Sequence, residues 1–105
     1  MNETVRDALL SCTQAVYNYV APGNRPVPYV VYGNDGENAF RAGDRRAERA
    51  DQGTVDLYTK SPSDPLIQAI PAALDAAGAA VFLNTVQYEQ EAGLLHYEWV
   101  YEAVA

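Results

Sequence analysis

The stretch from Val81 to Val104 constrains the fold more than any other: two runs of strand-forming residues alternate around one glycine turn. The first run is Val81-Phe82-Leu83-Asn84-Thr85-Val86-Gln87-Tyr88-Glu89. The second is Leu94-Leu95-His96-Tyr97-Glu98-Trp99-Val100-Tyr101-Glu102, with Glu91-Ala92-Gly93 as turn chemistry between them. Successive side chains on a strand point to opposite faces. Pairing 88 with 95, 86 with 97, 84 with 99 and 82 with 101 gathers Phe82, Val86, Tyr88, Leu95, Tyr97, Trp99 and Tyr101 on one apolar side. A slip of one residue sets Phe82 against Glu102 and Tyr88 against His96, which burial forbids. A half-buried C-terminal hairpin is predicted, and it contains no catalytic constellation.

The remaining elements follow from periodicity. Val5, Ala8, Leu9, Cys12, Ala15, Val16 and Tyr19 recur at helical spacing, which predicts an amphipathic helix from Glu3 to about Tyr19, capped by Asn2 and ended by Ala21-Pro22-Gly23. A short strand, Tyr29 to Tyr32, stops at Gly33-Asn34-Asp35-Gly36. Residues 34–53, rich in Gly, Asp and Arg, read as a flexible charged loop. A strand over about Thr54 to Lys60 then puts Val55 and Leu57 on one face and Thr54, Asp56 and Tyr58 on the other. Asp64 suits a helix N-cap and Pro65 the first helical position. The helix from Leu66 to Ala77 presents Leu66, Ile67, Ile70, Ala73, Leu74 and Ala77, with Gly78 as its stop and Pro71 inside it as a kink or a tight first turn. The predicted order is α-β-β-α-β-β, an α+β fold with a mainly antiparallel sheet and both helices packed on its aromatic face.

At 105 residues the chain is expected to form a single domain, 1–105. No stretch approaches the ~20 apolar residues of a membrane span. Met1-Asn2-Glu3 opens with neither a basic nor an apolar region, so no signal peptide is expected. The lone Cys12 excludes an internal disulfide or a cysteine zinc cluster and reads as a buried structural thiol, in keeping with a reducing compartment. The net charge of −7 argues against general nucleic-acid binding, which needs a basic patch. Tyrosine is over-represented at eight residues. Tyr88, Tyr97 and Tyr101 lie in the hairpin, and Tyr58 joins them if its strand pairs into the same sheet. Tyrosine suits half-exposed faces and interfaces, so composition leans toward a protein that meets other protein.

Candidate chemistry is sparse. His96 and Glu98 share a strand face with Glu102, and Gln87 and Thr85 lie across the ladder, so a metal or acid–base site can be drawn there. The alternative is the wetter face of a half-exposed sheet, and a single histidine without a second nitrogen or sulfur ligand favours it. Gly33-Asn34-Asp35-Gly36-Glu37 lacks the spacing of a calcium loop and the lysine and helix start of a phosphate cradle, and reads as a turn. No serine or threonine has a plausible histidine–acid partnership. No catalytic, cofactor-binding or metal residue is assigned, and no cofactor is expected. Arg41, Arg45, Arg46 and Arg49 lie among three acids between Arg41 and Asp51. They read either as a solvated loop or as an arm that pairs with a partner's carboxylates.

Three pieces in order, Thr54-Val55-Asp56-Leu57-Tyr58-Thr59-Lys60, Ile67 to Gly78 as I-Q-A-I-P-A-A-L-D-A-A-G, and Val86 to Trp99 with its glycine turn and H-Y-E-W run, carry a resemblance. Together, over residues 54–102, they resemble the tail completion or tail terminator proteins of tailed bacteriophages and prophages. The resemblance implies an α+β subunit that forms a ring, usually a hexamer, at the head-proximal end of the tail within the virion, made in the host cytoplasm. Such a ring stops growth of the tail tube and offers a surface to the head connector. It implies no enzyme activity and no cofactor, with tail-tube and connector proteins as partners and DNA passing through without specific binding. Arg41, Arg45, Arg46 and Arg49 then become candidate interface residues on an arm. Two rival readings stay open: a small ligand- or protein-binding module acting as monomer or dimer through Thr85, Gln87, His96 and Glu98, and an enzyme using His96 and Glu98 as an acid–base pair.

Overall fold

A computed structural model of the chain describes residues 2–23, 25–39 and 49–104. The elements run α1 (Asn2–Leu10), β1 (Val16–Asn18), β2 (Tyr29–Ala39), β3 (Arg49–Thr59), α2 (Leu66–Ala76), β4 (Ala80–Glu89) and β5 (Leu94–Val104). The strands form one sheet in the order β1-β2-β3-β5-β4. All neighbours are antiparallel except β1 and β2, which are parallel. The α+β class and the mainly antiparallel sheet are as predicted, with one strand added near the N-terminus.

That added strand corrects the first helix. Helix α1 stops at Leu10, where Ser11 Oγ donates to the Ala8 carbonyl at 2.6 Å and the Thr13 amide turns back to the Leu9 carbonyl. Ser11 and Thr13 are residues whose hydroxyls compete with helical backbone bonds. The apolar residues at 15, 16 and 19 fit a helical spacing, but Val16 pairs with Val30 and enters the sheet instead. Cys12 is half-buried, its Sγ 3.6 Å from the carbonyls of Ala8 and Ala69. It is a free thiol packed where the end of α1 meets α2.

The second correction concerns the charged loop. Residues 34–39 and 49–53 are strand, pairing from Asn34 with Gly53 to Ala39 with Arg49. Their Gly, Asn and Asp content lowers β propensity, and the pairing partner overrides it. Asp35 is left over as a bulge between Asn34 and Gly36.

The junction into α2 is built as the sequence predicts. Asp64 Oδ1 accepts from the Leu66 amide at 2.9 Å, and Pro65 has helical dihedrals. Asp64 Oδ2 accepts a hydrogen bond from the hydroxyl of buried Thr59 at 2.6 Å, which ties the end of β3 to the start of α2. Gly78 closes the helix with φ +95°, and the Ala79 amide reaches back to the Leu74 carbonyl.

The core lies between the helices and one sheet face. Val5 and Leu9 of α1 and Leu66, Ile70 and Leu74 of α2 pack on Val30, Tyr32, Val55, Leu57, Trp99 and Tyr101. Each fully buried aliphatic side chain contributes about 1.5–3 kcal/mol. Tyr101 crosses β3 at Gly53 and donates its hydroxyl to the Gly33 carbonyl at 3.3 Å. A Cβ on Gly53 would stand 2.0 Å from that carbonyl oxygen and 2.7 Å from the tyrosine hydroxyl. Only glycine fits there.

The hairpin register needs a third correction. Tyr88 does face Leu95 and Val86 faces Tyr97, but a bulge at Asn84 then puts Leu83 opposite Trp99, Phe82 opposite Val100 and Val81 opposite Tyr101. Phe82 therefore moves to the face away from the helices. Leu83 takes its place on the helix side, where Val86 and Tyr88 remain, yet all three lie beyond the helices' cover.

Candidate functional site

Two surfaces carry what chemistry the described residues offer: the sheet face without helices, and the outer edge of β4. On the open face, Tyr29, Tyr58, His96 and Gln87 stand directly opposite one another across β2, β3, β5 and β4. Tyr29 stacks on Tyr58 at 4.8 Å between ring centroids, and Tyr58 stacks on His96 at 4.3 Å. Tyr17 of β1 meets Tyr29 edge-on at 6.3 Å. The Arg25 guanidinium lies 4.4 Å over the Tyr29 ring and donates through Nη2 to the Tyr29 hydroxyl and through Nη1 to the carbonyls of Pro22 and Gly23. The row shields backbone that no helix covers.

His96 does not pair with Glu98. Its Nε2 lies 2.8 Å from Asp56 Oδ1 and its Nδ1 lies 3.0 Å from Glu89 Oε2. Both ring nitrogens thus meet a carboxylate oxygen, one from each neighbouring strand. The result is a hydrogen-bonded clamp joining β3, β5 and the end of β4. His96 and Asp56 are mostly buried, and Glu89 is the more exposed partner. Thr85 stands opposite Glu98 and Gln87 opposite His96, the face predicted from the sequence. Among the described residues, no group of three or more His, Cys, Asp or Glu side chains is arranged to hold a metal ion. No helix among them is long and apolar enough to cross a membrane.

Burial, and after it the charge of neighbouring Asp56, pushes the Tyr58 hydroxyl up to about 12. Burial also raises Tyr32. Beside the aromatic row, a groove of about 410 Å³ runs between the segment after β1 and the β4–β5 turn, lined by Tyr19, Arg25, Tyr29, Tyr58, Glu89 and Leu94. Its shape depends on Tyr19, which sits at φ +68° with its hydroxyl on the Asn34 backbone and its ring over Gly33, where a Cβ would come within 2.8 Å of the ring.

The β4 edge is of a different character. Phe82, Leu83, Val86 and Tyr88 are 60%, 55%, 47% and 61% exposed, and they belong to a strand with no neighbour on its outer side among the described residues. Phe82 lies on the open face and Leu83, Val86 and Tyr88 on the helix face, so large apolar side chains flank this edge on both sides, the character of an interaction surface. Of the predicted arm residues, Arg41, Arg45 and Arg46 lie outside the described residues. Arg49 opens β3 opposite Ala39. The stacked row and the Asp56 and Glu89 partners of His96 were missed by sequence reasoning. The signal was present in the common face of Asp56 and Tyr58, but it needed the order of strands.

No protein-family model matches the chain, and no curated protein matches it. Among solved structures, it is similar to a chain in the virion of a native gene transfer agent particle. The two are 18% identical, the match covers 98% of this chain and 89% of the other, and the TM-score is 0.58. The likeness extends over nearly the whole of both chains, and what they share is the fold.

Proposed function

We propose that the chain is a structural virion protein without enzyme activity, a phage tail terminator or tail completion subunit. In this reading it forms a ring, of six copies by the resemblance, that ends the tail tube at the head-proximal end and joins it to the head connector. The observation that carries the reading is the exposed apolar edge of β4, an assembly surface on a fold shared with a virion chain. The sequence resemblance over residues 54–102 supplies the kind of assembly. A heterologous ring contact needs two different surfaces on each subunit, and this subunit has the β4 edge on one side and the β2–β3 end on the other. Arg41, Arg45, Arg46 and Arg49 are the proposed partner-binding residues of that end. The net charge of −7 suits a lumen through which DNA slides, because like charge repels the phosphates.

The test is recruitment. Purified protein added to tail tubes should bind at one tube end as a ring seen by electron microscopy, and should stop further addition of tube subunits. Binding along the tube wall, or none, would overturn the reading. The groove favours a second reading, a small binding module acting as monomer or dimer. A monomer that ignores tubes yet retains a small molecule or peptide against Tyr58 and Glu89 would support it.

A further inference from the structure

The acidic residues of β5 lie on the open face, one strand in from the edge of the sheet. Glu98 and Glu102 stand opposite Thr85 and Ala80 of β4. On its other side Glu98 faces Asp56 of β3. Like charges directly opposite one another destabilise a sheet unless a cation lies near. Asp56 has His96 beside it, but neither Glu98 nor Glu102 has an ion-pair partner among the described residues. From Ser61 to Ala105 there are six acidic residues and no lysine or arginine.

The edge in front of these acids is open. Ten residues from Ala80 to Glu89 have no outer neighbour among the described residues, and none of them is Lys, Arg or Pro, the usual guards of an edge. The bulge at Asn84 sorts them into two rows. Val81, Leu83, Val86 and Tyr88 share the helix side, and the last three are about half exposed or more. Ala80, Phe82, Thr85 and Gln87 share the open side. In this second row Ala80 and Thr85 are the short side chains, and they are the two that stand before Glu102 and Glu98.

We propose that β4 is extended by a strand of a different protein, one that alternates apolar with basic residues. Its backbone pairs with the free edge, and its apolar residues cover Leu83, Val86 and Tyr88. Its lysine or arginine side chains lie beside Ala80 and Thr85 and reach over them to Glu102 and Glu98. A residue beside Thr85 lies two strand spacings from Glu98, roughly 9.5 Å, which the extended side chains of lysine and glutamate together span. Counting past the bulge, the two basic residues are four apart in the added strand. A second copy of this chain does not meet the requirement. Its described strands hold one basic residue, Arg49 at the first position of β3, and two β4 edges laid together would add acids to acids. The inference rests on the proposed function only in taking β4 as an assembly surface, and it names the chemistry of the partner there.

The experiment is calorimetric titration of the protein with a synthetic peptide of Lys-Val-Ser-Val repeats, with a Glu-Val-Ser-Val peptide as control. The basic peptide should bind, about tenfold more weakly at high salt than at low, and amide hydrogen exchange should slow along β4. Glu98→Gln with Glu102→Gln should weaken binding about tenfold, the loss of two partly shielded ion pairs. Asp7→Asn with Asp75→Asn changes the net charge equally, at exposed positions on α1 and α2, and should leave binding within about twofold. Phe82→Lys with Val86→Lys should abolish binding. Circular dichroism establishes that this variant folds, and Phe82→Ser with Val86→Ser replaces it if it does not. Equal affinity for the acidic peptide, equal losses in the two charge-neutralised pairs, protection outside β4, or neither heat nor protection at millimolar peptide would each overturn the inference. So would a wild type that dimerises in light scattering and is made monomeric by the β4 substitutions, because the occupant would then be a second copy. Recruitment to tube ends by a protein that fails these tests would leave the terminator reading standing. Peptide binding by a protein that ignores tube ends would overturn that reading alone.

Discussion

Strand β5 faces two different environments, and the contrast separates two ways of stabilising a sheet. Toward the helices it presents Trp99, Tyr101 and Ala103, all buried, with Tyr97 packed at their margin. Away from them it presents His96, Glu98, Val100 and Glu102, all half-buried although no helix lies over them. On the first face, solvent is excluded by Ile70, Leu74, Val5 and Leu9 arriving from elsewhere in the chain. On the second, the strands protect one another: rings pack from β1 to β5, edge-on at Tyr17 and stacked from Tyr29 to His96, and an imidazole sits between two carboxylates. The helix face depends on volume and the open face on pairing. Substitutions should therefore cost most where volume cannot adjust and least where a side chain meets only water.

The largest losses are expected on the helix face. Trp99→Ala should cost about 3–5 kcal/mol in denaturant unfolding, the range for emptying a large buried aromatic site. Gly53→Ala should cost about 3 kcal/mol or more, because its methyl group would meet the Gly33 carbonyl and the Tyr101 hydroxyl rather than the movable end of a side chain. If Gly53→Ala unfolds like the wild type, the close crossing of Tyr101 over β3 is not as described.

The open face should respond to a smaller degree. His96→Ala leaves Asp56 and Glu89 without the group between them and should cost about 1–2 kcal/mol, in line with hydrogen bonds to charged partners. His96→Phe sharpens the comparison, since it keeps a ring against Tyr58 and loses both carboxylate contacts. If the two variants are equally unstable, the clamp rather than the stack holds this face.

Alkaline pH gives a further handle on the open face. The Tyr58 hydroxyl keeps its proton to about 12 in the folded chain, against 10.0 for the unfolded reference. The folded state thus binds more protons between these values, so stability is untouched below pH 10 and falls as pH rises through about 12. Tyr58→Phe should flatten that part of the fall, and phenolate absorbance should show one tyrosine ionising last. A Tyr58→Phe profile that runs parallel to the wild type above pH 10 would mean that Tyr58 is not the group responsible.

Much of the helix face was legible in the sequence, because burial writes itself as periodicity. Tyr97, Trp99 and Tyr101 on one side, Val55 and Leu57 on one side, and the Asp64-Pro65 start and Gly78 end of α2 all follow from spacing and local chemistry. What was not legible depended on partners. Val16 and Tyr19 fit a helix or a strand, and only β2 decides between them. Residues 34–39 are poor strand formers held by residues 49–53. The bulge at Asn84 has no signature in the residue pattern, yet it alone turns Phe82 away from the helices. On the open face, His96 was correctly set beside Gln87 and opposite the apolar side. Asp56 and Glu89 could not be named as its partners without knowing that β5 lies between β3 and β4.

The smallest effect on stability is expected at the β4 edge, and there the comparison turns over. Phe82→Ser and Val86→Ser change side chains that are about half exposed or more, so unfolding free energy should stay within about 0.5 kcal/mol of the wild type. A larger loss measured on the isolated subunit would mean that these residues belong to the fold, and the edge would cease to be a surface. If unfolding of the isolated subunit is unchanged while assembly is lost, the apolar character of β4 has no role within the chain that carries it. It is then an apolar surface whose partner must come from another molecule, since neither the helices nor the aromatic row of the open face extends over it.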